Sequence, residues 1–247
     1  MRRHPAHGFT LIEVLVAISV MALMALMAWR GLDGMLRAQT GLQTRADDIR
    51  TLQAGLAQWQ TDLDQLSEHP GIASWDWDGK VLRLTRRSPL SADSAPDQGM
   101  REAVQVVAWT WRNDPARPGG GDWQRWASPA LHTRTAWQGA WQQAQVWSQT
   151  PTAESLTGQI QIHPLAGWQL FVHRGGAWTN PLSSDAVNGP AAPNSGNGVT
   201  PAAATTSTQG STPPDGVRLL LVLPPGSAGQ GTLTLDWIRP TLSGAPT

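Results

Sequence analysis

The chain contains no cysteine and no tyrosine, and lysine occurs once, at Lys80. Without thiols, a disulfide framework, a thiolate nucleophile and every thiolate metal site are excluded. Charge is scarce as well. Only 15% of the 247 residues are Asp, Glu, Lys or Arg, against about a quarter in ordinary globular chains, so something other than a lone soluble domain is encoded. The 18 basic and 18 acidic residues cancel, which removes the positive field that a sequence-independent nucleic-acid binder needs. No nucleic acid is expected as a partner. The length allows one large domain or two small ones. What is plentiful is tryptophan: 14 residues, beside two phenylalanines.

From Phe9 to Trp29 the chain reads FTLIEVLVAISVMALMALMAW, with Glu13 as its only charge and no Pro or Gly. About 20 apolar residues at 1.5 Å each cross a bilayer core, so residues 9–29 are expected to form a transmembrane helix. Its lipid anchors would be Leu11, Leu15, Ile18, Met21, Leu26 and Trp29. The preceding MRRHPAHG carries Arg2 and Arg3 and no acid, which places the N-terminus in the cytoplasm and the remainder across the membrane. A secretory signal would be cut after the apolar run, where MAWRGLDG offers a poor site. Cleavage ahead of the run, between Gly8 and Phe9, would leave the helix attached and create a new amine on Phe9.

Beyond Trp29 the apolar positions are Leu32, Met35, Leu36, Leu42, Ile49, Leu52, Leu56, Trp59, Leu63 and Leu66. From Leu42 onward they step by seven, three, four, three, four and three, one narrow helical stripe. His69-Pro70-Gly71 is read as the stop, giving an amphipathic helix over residues 30–69 whose apolar face packs on the chain's own sheet. Gly31, Gly34, Gly41 and Gly55 weaken it locally.

Residues 70–247 read mainly as strands. Ile72–Trp75 and Lys80–Arg86 flank Asp78-Gly79, a hairpin signal. Glu102–Arg112 alternates, with Val107, Trp109 and Trp111 on one face. Shorter candidates are Trp123–Ala127, Gln159–His163 and Trp168–Arg174, the last turning at Gly175-Gly176 towards Trp178. Val217–Leu223 and Thr232–Arg239 form a final hairpin. Between Thr135 and Ser148 the pattern leaves helix and strand undecided. Ser183–Gly216, almost without charge or large apolar side chains, is expected to be a disordered surface insertion. A long helix followed by sheet defines an α+β protein.

The run Gly8-Phe9-Thr10-Leu11-Ile12-Glu13-Val14-Leu15 resembles the N-terminus of type IV prepilins and pseudopilins. The resemblance implies a pilin-like fold, a leader of residues 1–8, cleavage after Gly8 by a prepilin peptidase and methylation of Phe9. An acid inside a membrane helix costs on the order of 2.5–3.5 kcal/mol and calls for a partner. In a filament that partner for Glu13 would be the Phe9 amine of a staggered neighbour, and within one chain it would be the helix N-terminus.

Trp29-Arg30-Gly31-Leu32-Asp33, Leu56–Leu66 with Asp62-Leu63, Val81–Arg86, Gly176-Ala177-Trp178 and Val217–Leu223 are similar to the minor pseudopilin J of type II secretion systems. That implies an inner-membrane subunit with a periplasmic domain. It would join minor pseudopilins I and K at the tip of a pseudopilus, prime assembly of the major pseudopilin G, and help export folded proteins across the outer membrane. Two stretches depart from the J pattern: the insertion at Ser183–Gly216 and Asp122–Trp126. The alternatives are a minor type IV pilin or DNA-uptake pseudopilin and, further off, an envelope-anchored enzyme or glycan-binding module.

Signals for bond chemistry are weak. Trp75-Asp76-Trp77-Asp78-Gly79 lacks the third acid and terminal Glu of a calcium loop. His132, His163 and His173 lack metal-ligand spacing. Gly226, Gly229 and Gly231 precede no helix. No catalytic residue, metal or cofactor is expected. Most tryptophans are assigned to the core, with Trp123, Trp126 and Trp178 as candidates for an exposed aromatic platform.

Overall fold

The computed structural model describes residues 9–88, 103–152, 155–182, 212–227 and 229–240. The chain divides into two compact units, Met1–Asp47 and Asp48–Thr247. The element order is α1 (Leu11–Asp64), β1 (Trp75–Trp77), β2 (Val81–Arg87), β3 (Val104–Asn113), β4 (Gly121–Ala127), α2 (Arg134–Gln149), β5 (Gln159–Leu165), β6 (Gly167–Arg174), β7 (Ala177–Thr179), β8 (Gly216–Leu223) and β9 (Gly231–Ile238). A long apolar N-terminal helix followed by two antiparallel sheets is a pilin-like α+β fold.

The helix α1 starts two residues later than the apolar run because Thr10 caps it, and it ends five residues before the expected His69. The early stop has a visible cause. Leu66 bridges to Arg86, the Ser67 amide donates to the Thr85 carbonyl and the Arg87 amide donates to the Gln65 carbonyl. Pairing with β2 thus takes over the backbone groups that further helix would use. The stripe also packs on the sheets only in part. Trp59 and Leu63 are buried, and Leu52, Leu56 and Leu66 lean on the same cluster. Leu32, Met35, Leu36, Leu42 and Ile49 remain exposed.

Five strands form the first sheet in the order β1-β2-β3-β4-β5, all neighbours antiparallel. At the β1–β2 hairpin, the Asp78 carboxylate accepts from the amides of Lys80 and Val81 and Gly79 takes φ +92°. The first strand is Trp75–Trp77 rather than Ile72–Trp75. The turn sets the register Trp77↔Leu82, and residues 72–74 are still leaving the turn at Gly71, φ +79°.

The first sheet is buried on both faces, which alternation alone did not reveal. One face carries Val81, Val106, Ala108 and Trp126 beneath α2. The other carries Leu82, Leu84, Val107, Trp109 and Trp123 against Trp59 and Leu63 and the second sheet. The undecided Thr135–Ser148 stretch is α2. Thr133 caps it by accepting from the Ala136 amide at 3.2 Å, and Trp137, Ala140, Trp141, Ala144 and Trp147 make its buried stripe at helical spacing. One arginine reaches the middle of this helix and another its last turn, where unpaired carbonyls favour positive charge. Arg83 Nη1 donates to the Trp141 carbonyl at 3.3 Å and Arg112 Nη2 to that of Trp147 at 2.6 Å.

The second sheet runs β7-β6-β8-β9. Val217, Leu219, Leu221 and Leu223 alternate inward into the shared core, as their spacing requires. The β6–β7 turn uses Gly175 and Gly176 at φ +58° and +85°. Of the expected insertion, residues 183–211 lie outside the described residues, whereas residues 212–215 lead into β8 and Gly216 is its first residue.

Tryptophan is the main packing material. Trp59, Trp75, Trp109, Trp123, Trp126 and Trp147 are essentially inaccessible. Trp59 meets Trp109 edge-on at 5.4 Å and Trp168 at 6.4 Å. Trp123 and Trp126, expected as surface candidates because they sit near turns, are therefore core residues. They point to opposite faces of β4, and both faces are covered. Trp178 alone of the three stays partly exposed, under the Arg218 guanidinium at 4.4 Å.

Candidate functional site

Two places carry the chain's unusual chemistry: the first turn of α1 and, within the larger unit, the last turn of the same helix.

At the first turn, Thr10 and Glu13 form a reciprocal cap. The Thr10 amide and hydroxyl donate to Glu13 Oε2 at 3.2 and 3.1 Å, and the Glu13 amide lies 3.4 Å from Thr10 Oγ1. Thr-x-x-Glu is the capping-box pattern, which satisfies backbone donors that an N-terminus leaves unpaired. The carboxylate is thus hydrogen-bonded within its own chain. Gly8 lies outside the described residues. Phe9 is 85% exposed and Leu11 86%. Leu15, Ile18, Met21, Leu26 and Trp29 are exposed as well.

An 18-residue window of α1 has mean hydropathy 2.5, and none of that window is buried. A core helix of a water-soluble domain would hide such a surface. By length and composition, this one can cross a membrane.

Residues 3–29 match the prokaryotic N-terminal methylation motif. The chain is prepilin-like: it combines that motif with a pilin-like fold, and the motif implies processing by prepilin peptidase. An N-terminal apolar helix bearing this motif is the membrane anchor of pilin-like proteins, which are typically structural subunits rather than enzymes. No curated protein matches the chain significantly.

At the last turn, Asp62 is fully buried and receives five hydrogen bonds. Arg125 donates through Nε to Oδ2 and through Nη2 to Oδ1, Arg86 Nη1 donates to Oδ1 at 2.7 Å, Trp109 Nε1 to Oδ2 at 2.8 Å and Gln58 Nε2 to Oδ1 at 2.9 Å. The donors come from β2, β3 and β4 and from the helix itself. Arg86, Trp109 and Arg125 share a face of the first sheet because the registers Leu82↔Trp109 and Trp109↔Arg125 put them there. Arg86 also donates Nε to Gln105, which donates to the Ser128 carbonyl. Burial pulls the Arg86 guanidinium below its ordinary range. Asp62 opposes that shift and Arg125 adds to it.

Asp64 accepts from Trp237 Nε1 in β9 at 2.7 Å, so the helix end is fastened to both sheets. Gly55 permits the close approach: a Cβ there would lie 2.2 Å from Ile162 Cγ2.

The sequence context of Asp62-Leu63 does not by itself mark Asp62 as the centre of a buried network. The available signal was an acid inside an apolar stripe, between Trp59 and Leu63, with arginines on strands that otherwise read as apolar. Among the described residues, no three His, Asp or Glu side chains come together in a metal-binding group. His163 is buried on β5, and His173 stands edge-on to Trp178.

Proposed function

We propose that this chain is the minor pseudopilin J of a type II secretion system. Prepilin peptidase would cut it between Gly8 and Phe9 and methylate Phe9. Leu11, Leu15, Ile18, Met21, Leu26 and Trp29 would hold it in the inner membrane, with residues 1–8 cytoplasmic and both the amphipathic helix of residues 30–69 and residues 70–247 periplasmic. Minor pseudopilins I and K and the major pseudopilin G would be its partners in a fibre that moves folded proteins outward. The observation that carries the reading is the methylation motif at residues 3–29, which spans an apolar run whose single acid is Glu13. The J assignment rests on sequence resemblance alone, Asp62-Leu63 being one of its stretches. The Asp62-Leu63 pair that resembles J holds the helix end to its sheets.

In this reading Glu13 exchanges partners. The capping bonds to Thr10 make its carboxylate tolerable in lipid before assembly. In the fibre, the Phe9 amine of the next subunit supplies a full positive charge at the same depth. The work is mechanical, and no bond-making is asked of the chain beyond its own processing.

Mass spectrometry of the mature polypeptide should find methylated Phe9 at the N-terminus. Replacing Gly8 should leave the leader attached, and an intact start or a cut after Trp29 would overturn the reading. Glu13→Leu should still be processed but should no longer co-purify with pseudopilins I and K. The same motif also serves minor type IV pilins and DNA-uptake pseudopilins. Genes for pseudopilins G, H, I and K beside this one favour secretion, and pilus-type minor pilin genes favour the alternative.

A further inference from the structure

Among the described residues the two sheets have four edge strands, and three are blunted. β1 and β7 are three residues each. β5 contains Pro164, and its pairing with β4 shifts register between Trp123 and Gln124. Proline, irregular register and short length are the ordinary devices that stop an edge from pairing with another chain. The fourth edge, β9, has none of them. Its eight residues contain no proline and pair with β8 in unbroken register from Gly216↔Ile238 to Leu223↔Gly231. No described residue hydrogen-bonds to its outer side.

The side chains say what kind of strand would fit. Leu233 and Leu235 face the core but are only partly buried, so the apolar interior is open at this margin. On the opposite face, Asp236 takes both Arg218 bonds at 2.7 Å, yet its side chain remains 39% accessible. β8 already shows the complementary pattern on the other side of β9: Leu219 and Leu221 opposite Leu235 and Leu233, and Arg218 opposite Asp236.

We propose that the outer edge of β9 is a docking site for an extended segment of another polypeptide, added as a further antiparallel strand. Its apolar side chains lie beside Leu233 and Leu235 and a basic side chain lies beside Asp236. Main-chain hydrogen bonds hold it, and the alternating side chains select it. The proposal does not depend on the secretion assignment, because it rests on the second sheet alone.

The test uses the full chain in detergent micelles and a synthetic peptide with the sequence of residues 215–223, the chain's own β8. Hydrogen exchange should show alternate β9 amides fast in the chain alone and at least about tenfold slower with peptide. A peptide N-methylated at every internal position, which has no amide left to donate from either edge, should have no effect. One with Glu in place of its arginine should bind about tenfold more weakly. Leu233→Lys should abolish binding while leaving the near-ultraviolet circular dichroism unchanged, and the two altered peptides serve as controls that leave the protein untouched. Outer-edge amides already slow without peptide, whether covered by the chain itself or by a second copy, would overturn the proposal. So would protection by the N-methylated peptide, or no protection by the unmodified one.

Discussion

Arg125 grips Asp62 with two hydrogen bonds, Nε to Oδ2 at 2.8 Å and Nη2 to Oδ1 at 2.9 Å, across 63 residues of sequence. Two-pronged guanidinium–carboxylate contacts are among the stronger polar interactions in proteins, and here both partners are buried. Removing the acid strands two cations in the interior. Asp62→Ala should therefore cost about 3–5 kcal/mol, lowering the melting temperature by about 10 °C for a domain of this size. A tryptophan-fluorescence melt reads the result, and a drop under about 2 °C would show that the network is not structural. The triple change Asp62→Leu, Arg86→Met, Arg125→Met should recover most of that loss, because an apolar replacement removes the desolvation cost along with the pairing.

Two neighbouring tryptophans should respond differently to loss of their indole nitrogen. Trp109 Nε1 donates to Asp62, whereas buried Trp59 Nε1 has no acceptor among the described residues. Both Trp→Phe changes sacrifice similar volume, but only Trp109→Phe breaks a bond to a charged group, worth about 1.5–3 kcal/mol. Urea unfolding should rank Trp109→Phe as the more destabilised by roughly that margin. Equal midpoints would contradict the role given to the indole.

The glycines of α1 divide into two kinds. At Gly31, Gly34 and Gly41 an added Cβ meets nothing within 4 Å, while at Gly55 it collides with Ile162 and comes within 3.1 Å of Trp123. Alanine at any of the first three should favour the helix by up to about 1 kcal/mol. Gly55→Ala gains the same propensity but overpacks the interface, a penalty of about 1–3 kcal/mol, so its net effect should be destabilising. Thermal melts of the four single variants decide this. A stabilised Gly55→Ala would mean that helix and sheet are not held at this distance.

How much of this was legible beforehand depends on the range of the interaction. The apolar run, the Asp78-Gly79 hairpin and the β8–β9 pair were readable, because turn chemistry and alternation are local. The helix α1 ends before His69 because Leu66, Ser67 and Gln65 are captured by β2, a contact no local window contains. Trp123 and Trp126 stand out in the sequence as surface candidates for a similar reason. A strand next to a turn is ordinarily half-exposed, and only the unrecognised α2, packing on the second face, buries Trp126. The Thr10–Glu13 cap was visible as a spacing, yet its geometry needed coordinates.

Acid should loosen the larger unit through His163. Burial lowers its affinity for a proton, with Asp48 partly opposing. The unfolded chain, with an ordinary value of about 6.5, then binds more protons than the native state, so stability rises with pH through that window. This contribution is complete above the unfolded value and is lost as pH falls from 6.5 towards the lower folded value. Melting temperatures at pH 7 and pH 5 should differ less in His163→Gln than in the unaltered chain. An unchanged difference would remove His163 as the cause.

The bond from Trp237 to Asp64 joins positions 173 residues apart, and it has a consequence for biogenesis. Because β9 supplies one wall against which the helix end rests, the interior cannot shut until the chain has been delivered as far as Ile238. A product that stops short of β9 would stay open to proteases, so arrival of this strand and acquisition of resistance to degradation become a single event.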